Sequence, residues 1–115
     1  MKQNMDNQQK TLEQWRREID ILDGELLRLL NERARIASEL GALKLSSGLP
    51  VYDGRRERQV LARLCESNPG PLDHEGVSSI FRSIIRESRR LESLQQHPQD
   101  KSRYRQSGQE YPHGH

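Results

Sequence analysis

A chain of 115 residues has the size of one small domain, and equal shares of hydrophobic and charged residues, 31% each, give a mean hydropathy of −1.02. No apolar run approaches the ~20 residues that span a bilayer, and no charged-then-apolar leader opens the chain, so a soluble, cytoplasmic protein is expected. Nineteen Lys+Arg against seventeen Asp+Glu leave +2, too balanced to mark a nucleic-acid binder, and a single cysteine, Cys65, excludes an internal disulfide framework.

Every Leu, Ile, Val and Phe lies between Leu12 and Leu94. The head (1–10) and the tail (97–115) hold none and are expected to be disordered, because they cannot bury enough surface to offset their ordering entropy. The foldable segment is 11–96. The tail histidines His97, His113 and His115 have no Cys or acidic cluster at ligand spacing, so no metal site is expected.

Within 11–96 the pattern predicts three helices and no strand. The first carries Leu12, Trp15, Ile19, Leu22, Leu26, Leu29, Arg33, Ile36, Leu40 and Leu43, whose steps alternate three and four in the coiled-coil period. Thr11 with Gln14 forms a capping box at its start, and Ser46-Ser47-Gly48-Leu49-Pro50 stops it. A second helix runs from Asp53, a good N-cap, to about Ser67, with Val60, Leu61, Leu64 and Cys65 on its apolar face. There Cys65 is a packing residue. Asn68-Pro69-Gly70-Pro71 breaks the chain again. The third helix extends from about Asp73 to Gln96, with Val77, Ile80, Phe81, Ile84, Ile85 and Leu91 on one side.

The first helix sets the architecture. Its ~35 residues reach about 50 Å, whereas a compact chain of ~100 residues has a radius of gyration of about 13 Å. Two shorter helices cannot cover such a rod, and an open apolar stripe of that length invites association. The expectation is an all-α fold, three helices per chain in an intertwined homodimeric bundle with antiparallel long helices. A monomeric three-helix bundle is the alternative that the length mismatch opposes.

Charged residues stand where core residues belong. Arg33 occupies the stripe of the first helix, and a buried, unpaired guanidinium is costly enough to demand an anionic partner. Lys44, eleven residues on, is turned only about 20° from Arg33 and lies about 16 Å along the axis. Arg56 and Glu57 fill the turn that begins the second helix's apolar face, and Ser88 and Glu92 continue the stripe of the third. Singly, each has a plainer explanation. Arg33 can set registry opposite a partner-chain Glu, Arg56 and Glu57 can pair on the surface, and Ser88 can bond back to the carbonyl of Ile84. Together they suit a small dianion, since fifteen of the nineteen cations are arginine and each carboxylate of such a ligand takes a bidentate guanidinium. No Ser/His/Asp set, metal-ligand spacing or glycine-rich phosphate loop is present, which leaves binding, or catalysis by restraint and electrostatics.

The sequence resembles the all-helical class of chorismate mutases. The likeness covers about residues 11–96 and rests on L-E-Q-W-R-R-E-I-D-I-L-D-G-E-L-L-R-L-L-N-E-R, G-A-L-K, P-V-Y-D-G-R-R-E-R and I-F-R-S-I-I-R-E-S-R-R-L-E. It implies an intertwined homodimer that rearranges chorismate to prephenate, toward phenylalanine and tyrosine, without a cofactor. It further implies that Arg33 and Arg56, helped by Ser88, bind the substrate carboxylates, and that Lys44 lies against the ether oxygen and a carboxylate. Glu57, with the backbone at Asp53, holds the ring hydroxyl, and Arg16 is lent to the neighbouring subunit's site. About 25 Å along the helix from Arg33, Arg16 is too far to share a site within its own chain.

Glu92 is a variable position of the family, glutamine in some members and glutamate in others. An ionised carboxylate only accepts hydrogen bonds, so Glu92 serves the ether oxygen only when protonated. Burial favours that neutral form, while Arg89, three residues earlier, and the other cations favour the charged one. The expected result is a rate that falls as pH rises, a fall lessened by Glu92→Gln. Two other readings stay open on the sequence: a lyase that eliminates pyruvate from isochorismate, and a noncatalytic helical dimer whose Arg82, Arg86, Arg89, Arg90, Arg103 and Arg105 form a nucleic-acid footprint.

Overall fold

A computed structural model of the chain describes residues 9–96. The tail 97–115, with its three histidines, and all of the head except Gln9 and Lys10 lie outside the described residues. Three helices are present, α1 (Leu12–Ser47), α2 (Gly54–Ser67) and α3 (His74–Gln96), and there is no strand among the described residues. The fold class and the order of elements agree with the sequence pattern.

Local chemistry fixes each helix end. At the start of α1 the capping box is reciprocal: the Gln14 N–H donates to Thr11 Oγ1 at 3.1 Å and the Thr11 N–H to Gln14 Oε1 at 2.7 Å. At its end Gly48 takes φ 70°, and the Leu49 and Gly48 amides donate to the Lys44 and Leu45 carbonyls at 2.8 and 3.3 Å. This doubly bonded left-handed turn needs glycine and satisfies carbonyls of the last turn. Asp53 caps α2, its carboxylate accepting from the Arg56 amide at 3.0 Å. Asp73 caps α3 in the same way through the Gly76 amide at 2.7 Å.

The described chain divides into two units, residues up to Glu32 and residues from Arg33 onward. In the first, Leu12, Trp15, Ile19, Leu22, Leu26 and Leu29 are all exposed, between 49% and 64%. Its charged contacts are local. Arg28 bridges Glu25 and Glu32 one turn either way, and Lys10 pairs with Glu18 and lies 4.3 Å from the centre of the Trp15 ring.

The second unit has a small core of Ala37, Val60, Val77, Ile85 and Leu94. Cys65 packs between α2 and α3, with Sγ 3.3 Å from Ser78 Oγ. A close approach joins α1 to α3 at Gly41, where a Cβ would stand 2.6 Å from both the Cα and the carbonyl oxygen of Glu92. Only a residue without a side chain lets the two backbones meet there, and that contact brings Lys44, one turn on, beside Glu92. No helix among the described residues is long and apolar enough to cross a membrane.

Candidate active site

The second unit forms a half-open cavity of about 240 Å³. Its charged and polar lining comprises Arg33 and Lys44 from α1, Asp53, Arg56 and Glu57 at the start of α2, and Ser88, Arg89 and Glu92 from α3. Ile36, Ala37, Leu40, Val51, Val60 and Ile85 supply the apolar remainder. Thus seven of the eight residues singled out in the sequence line one space, each placed by a helix end or stripe already described. The eighth, Arg16, is exposed and belongs to the other unit.

Lys44 is the most tightly held cation. Its ammonium donates to Glu92 Oε1 at 2.6 Å and to the Val51 carbonyl at 2.9 Å, and both charged side chains are largely buried, 16% and 10% exposed. An ammonium has three N–H bonds, so two are committed and one is left for a ligand. The last-turn position also sets the positive charge at the favourable end of the helix dipole.

Arg33 departs from expectation in its partner. No carboxylate among the described residues meets it; its Nη1 donates to Ser88 Oγ, and that hydroxyl donates in turn to the Ile84 carbonyl at 3.0 Å. Both readings of Ser88 therefore hold together, because a hydroxyl can donate one bond and accept another. Arg56 has only its backbone amide committed, to Asp53, and its side chain is exposed. The surface pair considered for Arg56 and Glu57 is absent. Glu57 is bound by Arg89, whose Nη1 lies 3.1 Å from Oε2, with the Arg89 guanidinium 5.1 Å from the centre of the Tyr52 ring.

Arg89 accordingly bears on Glu57, where the sequence had set it against Glu92. Register alone does not decide between the two carboxylates, since Arg89 stands one turn after Ile85 and lines the same cavity as Glu92; the direction of its long stem, which lies against the Tyr52 ring, takes it to α2. Sequence reasoning also missed the Val51 carbonyl, because backbone groups leave no trace in residue types, and Gly41. For Gly41 the signal existed, one of two glycines inside the helical pattern of α1 and the one three residues before Lys44.

The cavity thus has two matched pairs, Lys44–Glu92 and Arg89–Glu57, a third carboxylate committed to a helix cap, and two guanidiniums without a carboxylate. The same combination of sequence and fold occurs in known proteins. A solved chorismate mutase from Thermus thermophilus superposes with a TM-score of 0.73 at 41% identity, over 75% of this chain and 98% of that one. Among curated relatives, the bifunctional chorismate mutase/prephenate dehydratases of Aquifex aeolicus and Neisseria gonorrhoeae are 38% and 46% identical over 78 and 72 residues, or 64% and 63% of this chain. This chain spans only about a fifth of their length, 22% and 19%. The chorismate mutase type II family matches residues 15–93, a stretch that includes every cavity residue, and this chain belongs to that family.

Proposed function

We propose that the protein converts chorismate to prephenate in the cavity between α1, α2 and α3. The observation that carries this reading is the charge balance: of the four cations lining the cavity, Lys44 and Arg89 are answered by carboxylates and Arg33 and Arg56 are not. Two unanswered guanidiniums fit a ligand that brings two carboxylates, each taken by a planar fork. Ser88 steers Arg33, and Glu57 with the backbone at Asp53 receives the ring hydroxyl. The third N–H of Lys44 points to the ether oxygen and its neighbouring carboxylate.

Such a site suits a unimolecular, pericyclic rearrangement, in which no side chain attacks or accepts a proton. Holding the ether side chain folded over the ring lowers the entropic part of the barrier. As the C–O bond breaks, negative charge grows on the ether oxygen, and a fixed donor there favours the transition state over the substrate. A million-fold acceleration asks for about 8 kcal/mol, of which one well-placed donor supplies roughly 3 to 4. Glu92 Oε1 holds that donor in place, and positioning of the folded side chain supplies the remainder.

The active form is a homodimer working in the cytoplasm, with Arg16 of each chain completing the neighbour's site. Support for the dimer comes from the apolar repeat of α1: nine of its side chains, Leu12 through Leu43, are 41% or more exposed in the single chain. Half-burying each against a second copy contributes about 1 kcal/mol apiece.

The test is to incubate purified protein separately with chorismate and with isochorismate and to identify the products. Prephenate from chorismate, lost in Arg33→Ala, is the expected result. Pyruvate from isochorismate with no prephenate would overturn the mutase reading in favour of a lyase.

A further inference from the structure

We propose a second anion-binding site, a groove between the start of α2 and the middle of α3, which takes a small polyanion such as a phosphorylated metabolite. It is distinct from the cavity assigned above to chorismate, and its link to that cavity rests on that assignment. The groove encloses about 260 Å³. Arg82, Arg86 and Arg89 reach it from one face of α3, spaced four and three residues apart, and Arg58 reaches it from α2.

Four arginines thus line one small space that has a single carboxylate residue, Glu57, already taken by Arg89. Arg58 and Arg82 make no ion pair or hydrogen bond among the described residues, and Arg86 reaches only Ser83 Oγ, at 3.3 Å. The catalytic cavity is different in kind, with three carboxylates against four cations. Like charges that line one space repel one another, a repulsion that a bound anion relieves, and planar forks are the preferred grip for phosphate oxygens.

The Tyr52 hydroxyl and the Arg58 guanidinium both lie close over Gly54 at the first turn of α2. Tyr52 in turn carries the Arg89 guanidinium on its ring. Leu61 and Ile85 floor the space, which excludes water from one side of the bound anion and strengthens its contacts.

Glu57, Ile85 and Arg89 line both the groove and the catalytic cavity. An anion in the groove draws on Arg89 and loosens its hold on Glu57, which we assign to the substrate's ring hydroxyl. The two ligands are therefore coupled, and the effect falls on KM for chorismate more than on kcat.

The experiment is calorimetric titration of inorganic pyrophosphate, at fixed ionic strength, into the wild-type protein, Arg33→Ala and the double variant R58A/R82A. Arg58 and Arg82 are exposed helix positions, so alanine preserves the fold, which circular dichroism verifies. The expected result is wild-type affinity in Arg33→Ala and affinity weakened by about tenfold or more in R58A/R82A, with turnover in the absence of pyrophosphate unchanged in the double variant. Affinity lost in Arg33→Ala but kept in R58A/R82A would place the anion in the catalytic cavity and overturn the proposal. Equal affinity in all three would reduce the effect to diffuse charge. A short DNA duplex that displaces pyrophosphate at equal phosphate concentration would assign these arginines to nucleic acid instead. Heat is read here without reference to turnover, so an absence of mutase activity leaves the result interpretable.

Discussion

Up to Glu32, α1 carries an unbroken apolar repeat whose every member is exposed, and Arg28 is answered by Glu25 and Glu32 along the same helix. From Arg33 onward the register continues, but the repeat is interrupted by Arg33 itself. Beside it, on the face turned to α3, stand the small residues Ala34, Ala37 and Gly41 and then Lys44. One helix thus serves two purposes. Where the stripe is pure it stays exposed, the surface proposed above for another copy of the chain, and where charge and small residues replace leucine it becomes the wall of a cavity. The difference lies in what closes on the helix: α3 of the same chain covers the second stretch, and no element among the described residues covers the first.

The largest effect should come from breaking the first stretch. Leu26→Asp places a carboxylate in the middle of the exposed stripe, where pairing of two helices would bury it without a partner. Sedimentation should report a monomer, and chorismate turnover should fall to background because Arg16 no longer reaches a neighbour. A monomeric Leu26→Asp protein that keeps full activity would disprove the shared site.

Next in size is the loss of Lys44. Lys44→Ala should lower kcat by about 10²–10³, the effect of removing one donor to a developing oxyanion, and should also lower Tm because Glu92 is left buried and unpaired. The double variant Lys44→Met with Glu92→Met separates the two effects. Melting recovers, since a buried ion pair contributes little net stability over an apolar pair of like volume, and catalysis does not. If activity returned along with stability, Lys44 would be structural.

Glu92 sharpens the comparison within the site. The amide of Glu92→Gln still accepts from Lys44 through its oxygen and can donate through its nitrogen, whereas Glu92→Ala leaves Lys44 held by the Val51 carbonyl alone. Glu92→Ala should lower kcat by about tenfold or more, and Glu92→Gln should keep much of the wild-type rate. An alanine variant as active as wild type would remove Glu92 from the site.

The sequence already revealed much of this, and the gaps have physical causes. Helix ends were legible because Thr11, Gly48, Asp53 and Asp73 act through their own nearest amides and carbonyls. The site was legible because Arg33, Lys44, Arg56, Glu57, Ser88 and Glu92 each interrupt a periodic face. Who pairs with whom was not. Arg89 had a nearby carboxylate on its own helix and another across on α2, and the choice of Glu57 depends on side-chain direction and on the Tyr52 ring, which residue spacing does not encode. The role of the Val51 carbonyl in holding Lys44 depends on the path of the loop after Gly48.

The smallest effects divide the two stretches of α1 most directly, because one substitution should act with opposite sign in each. At Gly24 a Cβ meets nothing within 4 Å, and the position lies off the apolar stripe, two residues from Leu22 and two from Leu26. Gly24→Ala therefore gains only the helix propensity of alanine, about 1 kcal/mol, and Tm should rise. At Gly41 the same methyl would meet the Glu92 backbone at 2.6 Å, and backbone cannot rotate away as a side chain can. Gly41→Ala should cost about 1–3 kcal/mol as α1 and α3 are forced apart, and kcat should drop with it because the Lys44–Glu92 contact widens. Thermal melts of the two variants against wild type, read with chorismate turnover, decide the matter: a stabilised, active Gly41→Ala would mean that α3 does not close on α1 at this residue, and the geometry assigned to Lys44 and Glu92 would fall with it.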